Sequence, residues 1–214
     1  MDPLILAFDT SAAHCAAALL SGDRVLASRE EAMSLGQAER LMPMLEEMLA
    51  EAGVAWRDVG ALGVGTGPGN FTGVRIAVAA ARGLSLGLGV PAIGVTIFDA
   101  LAWGQDAALV ARDARLGQVY LQAFGPAAFG PLLQPLDAAV PPLPPGTPVI
   151  GDFTGDLAER SGGVAARPLV SLAEGVARIA LTRLGQDLPR PAPLYLRAPD
   201  AAPPRDPAPI ILPG

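Results

Sequence analysis

Gly65-Thr66-Gly67-Pro68-Gly69-Asn70-Phe71-Thr72-Gly73-Val74-Arg75-Ile76 joins a short apolar run, Ala61 to Gly65, to a long one that reaches Leu88 and stops before Pro91. Strand, glycine-rich turn and helix in that order make a βα unit. On the helix, expected from about Phe71 to Leu88, Gly73, Ala77, Ala80 and Ala81 form a small-residue stripe that permits close backbone approach, while Val74, Ile76 and Val78 point elsewhere. The turn can expose backbone N–H groups at a helix N-terminus, which suits a phosphate or carboxylate and makes Gly67 and Gly69 candidate contacts. It does not match GxGxxG, and Pro68 removes one donor. A tight strand-to-helix turn with close packing is an equal alternative.

Upstream, Leu4 to Phe8, His14 to Leu20 and Arg24 to Ser28 read as three antiparallel strands. Asp9-Thr10-Ser11 closes the first and offers a carboxylate and two hydroxyls to a phosphate or its metal, although these residue types also favour turns by bonding their own backbone. Residues 36 to 52 place Leu41, Met44, Leu45, Met48 and Leu49 at helical spacing, with Glu46, Glu47 and Glu51 on other faces, Gly53 as C-cap and Pro43 as a start or a bend. Downstream, Ala92 to Val95 reads as a strand, and Thr96 with Asp99 resembles a capping box opening a helix through Trp103. Ala108 to Ala111 and Val119 to Phe124 then echo the first hairpin, with Asp113 in the place of Asp9, which hints at duplication. Asp113 and Arg115 are expected to face solvent together. Later elements are a strand at Val149 to Gly151, a helix from Leu172 to Leu184 capped by Ser171 and Glu174, and the strand-like Leu194-Tyr195-Leu196.

Four of the 22 prolines precede residue 125, whereas ten glycines fall between Gly60 and Gly94. That shift divides the chain into an N-terminal lobe (1–105), a looser C-terminal lobe (106–198) and a Pro-rich tail (199–214) expected to be an extended strap or a disordered end.

The 214 residues contain no lysine, so 15 arginines carry all the basic charge. P-loop, Schiff-base and protein-kinase chemistries each need a lysine and are excluded. One histidine and one cysteine, the neighbours His14 and Cys15, point to opposite faces of a strand and cannot form a dyad or a zinc site. A net charge of -6 with 5% aromatic residues leaves no footprint for nucleic acid gripped by this chain alone. The N-terminus, with Asp2 and Asp9 flanking a short apolar run, does not read as a signal peptide, and the expectation is cytoplasmic. No membrane span is expected, because the uncharged stretches Val59–Val74, Gly83–Phe98 and Leu116–Leu136 are each broken by glycine, proline or glutamine.

The segment Gly67 to Ile76 resembles the TsaB (YeaZ) family of bacterial tRNA threonylcarbamoyladenosine biosynthesis proteins. Asp9-Thr10-Ser11, Glu39-Arg40-Leu41-Met42-Pro43-Met44, Asp113-Ala114-Arg115 before Val119-Tyr120, and Tyr195-Leu196-Arg197 agree with it in order. The resemblance implies an α/β, actin-like ATPase (ribonuclease H-like) fold of two duplicated lobes with mixed sheets, the second truncated. It also implies no catalytic residues and no metal. The related transferase TsaD moves the threonylcarbamoyl group onto adenosine thirty-seven of tRNA, the ATPase TsaE joins, and tRNA is reached through the complex. TsaD's histidine pair falls at Ile97 and Leu101 here, and neither can bind a metal. Docking is implied through the first two helices, with Leu41, Met44, Leu45 and Met48 on one and Gly73, Ile76, Ala77, Ala80 and Ala81 on the other. They would pack against counterparts in TsaD, or against a second copy as a homodimer, in a four-helix bundle. The alternative is that both helices only cover their own sheet. No cofactor of its own is implied, with ATP or ADP placed at the shared interface. Gln37, Asn70 and Gln118 depart from the family pattern without removing a catalytic group. The runner-up is a small kinase or ATPase using Asp9, Thr10 and the glycine loop, which the truncated second lobe disfavours; a peptidase lacks nucleophile, base and metal alike.

Overall fold

Nearly every strand residue of the first hairpin is apolar on both faces, a pattern that requires cover on both sides of a sheet. The computed structural model describes residues 2–197, so the expected tail at 199–214 lies outside the described residues. β1 (Leu4–Asp9), β2 (His14–Ser21) and β3 (Arg24–Ala32) form an antiparallel meander, and after α1 (Gln37–Glu51) the parallel strands β4 (Ala61–Gly65) and β5 (Ala92–Val95) extend it beside β1, giving the order β3-β2-β1-β4-β5. α2 (Phe71–Leu88) connects β4 to β5, and α3 (Ile97–Leu101) follows β5.

The second sheet repeats the plan. β6 (Ala108–Arg115), β7 (Gln118–Phe124), β8 (Phe129–Pro135), β9 (Pro148–Gly151) and β10 (Val164–Ala166) pair in the order β8-β7-β6-β9-β10, with α4 (Thr154–Ser161) where α2 stands and α5 (Leu172–Arg183) where α3 stands. Duplication is thus present in the connectivity. The truncation lies in residues 136–147, the counterpart of α1, where Pro141, Pro142, Pro144 and Pro145 cannot donate to a helix and none forms. The echo of Asp9 in Asp113 does not hold in register. Ala111 pairs with Gly151 at the end of β9, as the end of β1 meets Gly65, so Ala111 is the counterpart of Asp9 and β6 runs on past it.

Alternation sorts the strands into layers. Leu6, Phe8, Ala17, Leu19, Leu62 and Val64 face α1 and α2, and Ile5, Ala7, Ala16, Ala18 and Leu20 face α3 and α5. On the second sheet Ala108, Val110 and Tyr120 face that same central helical layer, while Leu109, Ala111, Val119 and Leu121 face α4 and the Pro-rich segment. Within the C-terminal lobe expected at 106–198, α5 packs on β1, β2, β4 and β5 of the first sheet and against α3. Small residues make that crossing close: a Cβ on Gly63 would stand 3.0 Å from the Ala7 methyl and 3.1 Å from the Ala180 methyl, and one on Gly175 would strike the Ala100 carbonyl.

The outermost strand of the first sheet, β3, is charged, which blunts an edge. Arg40 on α1 binds Glu31 of β3 through Nε and Glu47 through Nη1, both at 2.7 Å, and Arg29 of β3 reaches Glu47 at 2.6 Å and Glu51 at 2.7 Å. Hydrogen bonds from Arg40 hold the Glu47 carboxyl down at about 2, against an ordinary value of 4.5, with the Arg29 charge adding to the effect. A carboxyl lowered in the folded state lends stability that is complete above its unfolded value and disappears as pH falls through the folded one. The thermal midpoint should therefore drop between about pH 5 and pH 2. Arg40→Gln should flatten that drop, and about 1 M salt should shrink it, since the pair is solvent-exposed. Thermal melts across that pH range check both.

Candidate functional site

The first turn of the first sheet and the glycine-rich turn are bonded to each other. Thr10 Oγ1 donates to the Gly73 carbonyl at 2.7 Å and the Asn70 N–H donates to the Ser11 carbonyl at 2.6 Å. Asn70 caps α2 by accepting the N–H groups of Thr72 and Gly73 at 3.0 and 3.1 Å. Glycine is required for contact here: a Cβ at Gly69 would strike the Ser11 carbonyl, one at Gly73 the Thr10 carbonyl, and one at Gly65 the Asp9 carboxylate. Asp9 is fully buried, and its Oδ1 accepts Ser11 N and Ser11 Oγ at 2.9 and 2.8 Å and meets His14 Nε2 at 2.7 Å. Oδ2 lies against Gly65 with no hydrogen-bond partner among the described residues. The expected phosphate contacts thus divide. Asp9, Thr10 and Gly67 are enclosed, Ser11 is spent on Asp9 and on Asn70, and Gly69 alone is exposed. The chain's own backbone fills the space between the two turns. Cys15, on the opposite face from His14, is pushed up to about 11 chiefly by burial, so its thiol stays neutral.

Beyond this closed turn a cleft of about 950 Å³ opens between the lobes. One wall is Ala12, Ala13, Gly69 and the start of α2; the other is the end of β6 with Asp152 after β9; and Leu194 to Arg197 cross as a strap. That strap is not the expected strand. Leu194 N donates to the Thr66 carbonyl at 2.8 Å, Tyr195 takes the Arg75 Nε–H at 2.8 Å, and Arg197 bonds Gln118. Arg75, Arg112, Arg115 and Arg197 all line the cleft. Residue-by-residue reading missed this convergence, because the four arginines stand on three separate segments. Asp113 and Arg115 are both exposed, as expected, and Asp113 Oδ1 accepts the Arg115 backbone N–H at 2.7 Å.

A family model for TsaD, tRNA N6-adenosine threonylcarbamoyltransferase, matches residues 31–132. The TsaB protein of Escherichia coli is 39% identical over 122 residues, 54% of this chain and 52% of that protein, so the match spans about half the length of that curated relative. An uncharacterized protein of Mycobacterium tuberculosis is 34% identical over 208 residues and covered to 94%. The solved structure of YeaZ from Pseudomonas aeruginosa superposes with a TM-score of 0.72 at 31% identity, over 91% of this chain and all of that one. The chain belongs to the TsaB (YeaZ) family. Its fold is accordingly the actin-like one of duplicated lobes, and its family is one of tRNA threonylcarbamoyladenosine biosynthesis.

Within this TsaB fold, most side chains expected to meet a partner are already used. Leu41, Met44, Leu45 and Met48 are buried against the first sheet, as are Gly73, Ala77 and Ala81, and only Ile76 and Ala80 are partly exposed. The stripe Gly73-Ala77-Ala81 serves close approach to the Thr10 turn and β4, not to another molecule. The outward face of α2 lies one step round the helix, at Thr72, Ile76, Ala79, Gly83 and Leu86. Periodicity shows that a helix has a small-residue face; it does not show which neighbour takes it. Ile97 and Leu101 on α3 are buried in the central apolar layer.

Two glycines on one helix test this orientation. Gly83 has open space around it, so Gly83→Ala should gain up to about 1 kcal/mol of helix propensity. Gly73→Ala earns the same propensity, but its methyl meets a backbone oxygen that cannot yield, and overpacking of about 1–3 kcal/mol should win. Denaturant melts of both variants should show opposite signs.

Proposed function

We propose that this chain is a non-catalytic partner of a TsaD-type transferase in threonylcarbamoylation of adenosine thirty-seven of tRNA, docking through the outward face of α2. One observation carries the reading: α2 is 18 residues long and apolar enough by composition to cross a membrane, yet only 28% of it is buried within the fold. Its inner face is built into the sheet, so the uncovered side is a surface for another helix and not a bilayer span. Ala79 and Gly83 let a partner backbone approach, and Leu86, 87% exposed, supplies an apolar knob. The exposed side of α1, with Met42, Pro43 and Glu46, lies beside it and completes two helices of a four-helix bundle.

In this reading a TsaE-type ATPase and tRNA join through the complex, ATP or ADP sits at the shared interface, the reaction is cytoplasmic, and a second copy of the chain competes for the same face as a homodimer. Support for the division of labour comes from α3, where the resemblance sets TsaD's histidine pair against Ile97 and Leu101, two buried apolar side chains that cannot bind a metal. The alternative of a small kinase or ATPase finds no open phosphate seat beside Asp9 and Thr10.

Reconstituted modification with TsaD-type and TsaE-type partners, tRNA and ATP should require this chain, and equal product without it would refute the role. Gly83→Arg should abolish co-elution with the TsaD-type partner while leaving the thermal midpoint unchanged or raised, because the site is open and arginine is a better helix former than glycine. Ala77→Arg, aimed inward, should instead fail to fold. Unchanged co-elution of the Gly83→Arg protein would remove α2 as the docking face.

A further inference from the structure

α2 has a neighbour on each flank. α1 lies on one, and on the other the chain after α5 returns alongside it, tied by Arg82 Nε donating to the Pro191 carbonyl at 2.8 Å and Arg75 Nε to the Tyr195 hydroxyl at the same distance. A groove of about 800 Å³ opens between the C-terminal half of α2 and this returning chain. Arg82, Gly83 and Leu86 line it from the helix, and Leu188, Arg190 and Pro191 from the other wall.

In a chain whose net charge is -6, the groove is lined by three arginines and by no aspartate or glutamate. Arg183 is neutralised, since it bonds Asp99 at 2.9 Å. Arg82 gives its Nε–H to a carbonyl, and neither it nor Arg190 forms an ion pair with another described residue. Two uncompensated guanidinium groups, one on each wall, thus stand beside an apolar strip in which Leu86 is 87% and Leu188 37% exposed. The outward side of α1 has the opposite sign, with Glu39 and Glu46 exposed. A complementary partner must therefore carry the reverse order of charge, which admits one orientation on the face. The lining offers no aromatic ring on which a nucleic-acid base could stack, whereas guanidinium forks and leucine surface match carboxylates and apolar side chains of a polypeptide.

We propose that this groove receives an extended acidic segment of the TsaD-type partner, its carboxylates meeting Arg82 and Arg190 and an apolar side chain between them resting on Leu86 and Leu188. The groove continues the α2 docking face, sharing Gly83 and Leu86 with it, and its occupancy by this partner rests on the docking role proposed above.

Arg190 is the position to change, because it is exposed and holds no described residue in place, whereas Arg82 supports Pro191 and Arg183 supports Asp99. In calorimetric titration of the full chain with the TsaD-type transferase, Arg190→Glu should weaken binding about tenfold or more at low salt, with an unchanged thermal midpoint. The loss should shrink at about 0.5 M salt. Arg57→Glu makes the same charge change on an exposed arginine outside the groove and should leave binding unaltered. Because the chain contains no lysine, Arg190→Lys puts its only side-chain amine in the groove. Carbodiimide treatment of the complex should couple that amine, as an amide, to an aspartate or glutamate of the transferase that peptide mass spectrometry locates. A transferase that does not bind the unaltered chain removes the docking role and this assignment together; one that binds the unaltered chain and Arg190→Glu equally well removes this assignment alone. An equal loss with Arg57→Glu, coupling of the introduced amine to a second copy of this chain or to nothing, or saturable binding of a short single-stranded oligoribonucleotide that Arg190→Glu abolishes would also overturn it.

Discussion

Thr10 Oγ1 bonded to the Gly73 carbonyl and the Asn70 N–H bonded to the Ser11 carbonyl clamp the first turn of the sheet onto the first turn of α2, and much else follows from that contact. The Thr10 bond is buried, where a lost partner costs more than a made bond returns. The approach they enforce leaves no volume for a side chain at residues 69 and 73 and none for a phosphate between the two turns. It also fixes α2 in rotation, sending Gly73, Ala77 and Ala81 inward and Ala79, Gly83 and Leu86 outward. The closed turn and the uncovered helix face are two results of one constraint.

A second constraint, the seating of α5 on the first sheet, binds the halves of the chain together. α5 is the topological counterpart of α3, yet its Val176, Ala177 and Ala180 join the layer beneath Ile5, Ala7 and Ala18. Alanine and glycine on both sides permit a small interlayer distance, and Arg183 locks the end by bonding Asp99 at 2.9 Å and the Gly94 carbonyl at 3.1 Å. With α3 and α5 shared between two sheets, the lobes stay apposed, and the cleft between them persists even though its phosphate seat is closed.

What the sequence made legible follows physical signal strength. α1, α2, α3 and α5 announced themselves through apolar period, and two of them through caps as well: Thr96 accepts from Asp99 N, and Ser171 accepts from Glu174 N. β8, β10 and α4 did not. β8 contains Pro131 and Pro135, which are tolerable because the strand is at an edge; β10 is three residues long; α4 begins at Phe153 in the left-handed region with no side-chain cap. At the candidate site, the glycines were legible as close-contact positions, but their partner, the Thr10 and Ser11 backbone, is a long-range neighbour that no local pattern names. The arginine cleft was hidden for the same reason, since Arg75, the Arg112 and Arg115 pair, and Arg197 meet only through tertiary packing.

Closing a turn by backbone contact differs from removing its polar side chains. Asp9, Thr10 and Ser11 are all present, and a carboxylate and two hydroxyls are what a phosphate or metal site at a turn would employ. They are disarmed because Thr10 and Ser11 bond within the clamp and Asp9 faces His14, so no substitution at these three positions reopens the turn. Reopening needs α2 to withdraw from the sheet, which would expose Val74, Ala77, Val78 and Ala81 to water. Removing that apolar face from the core costs far more than one hydrogen bond is worth.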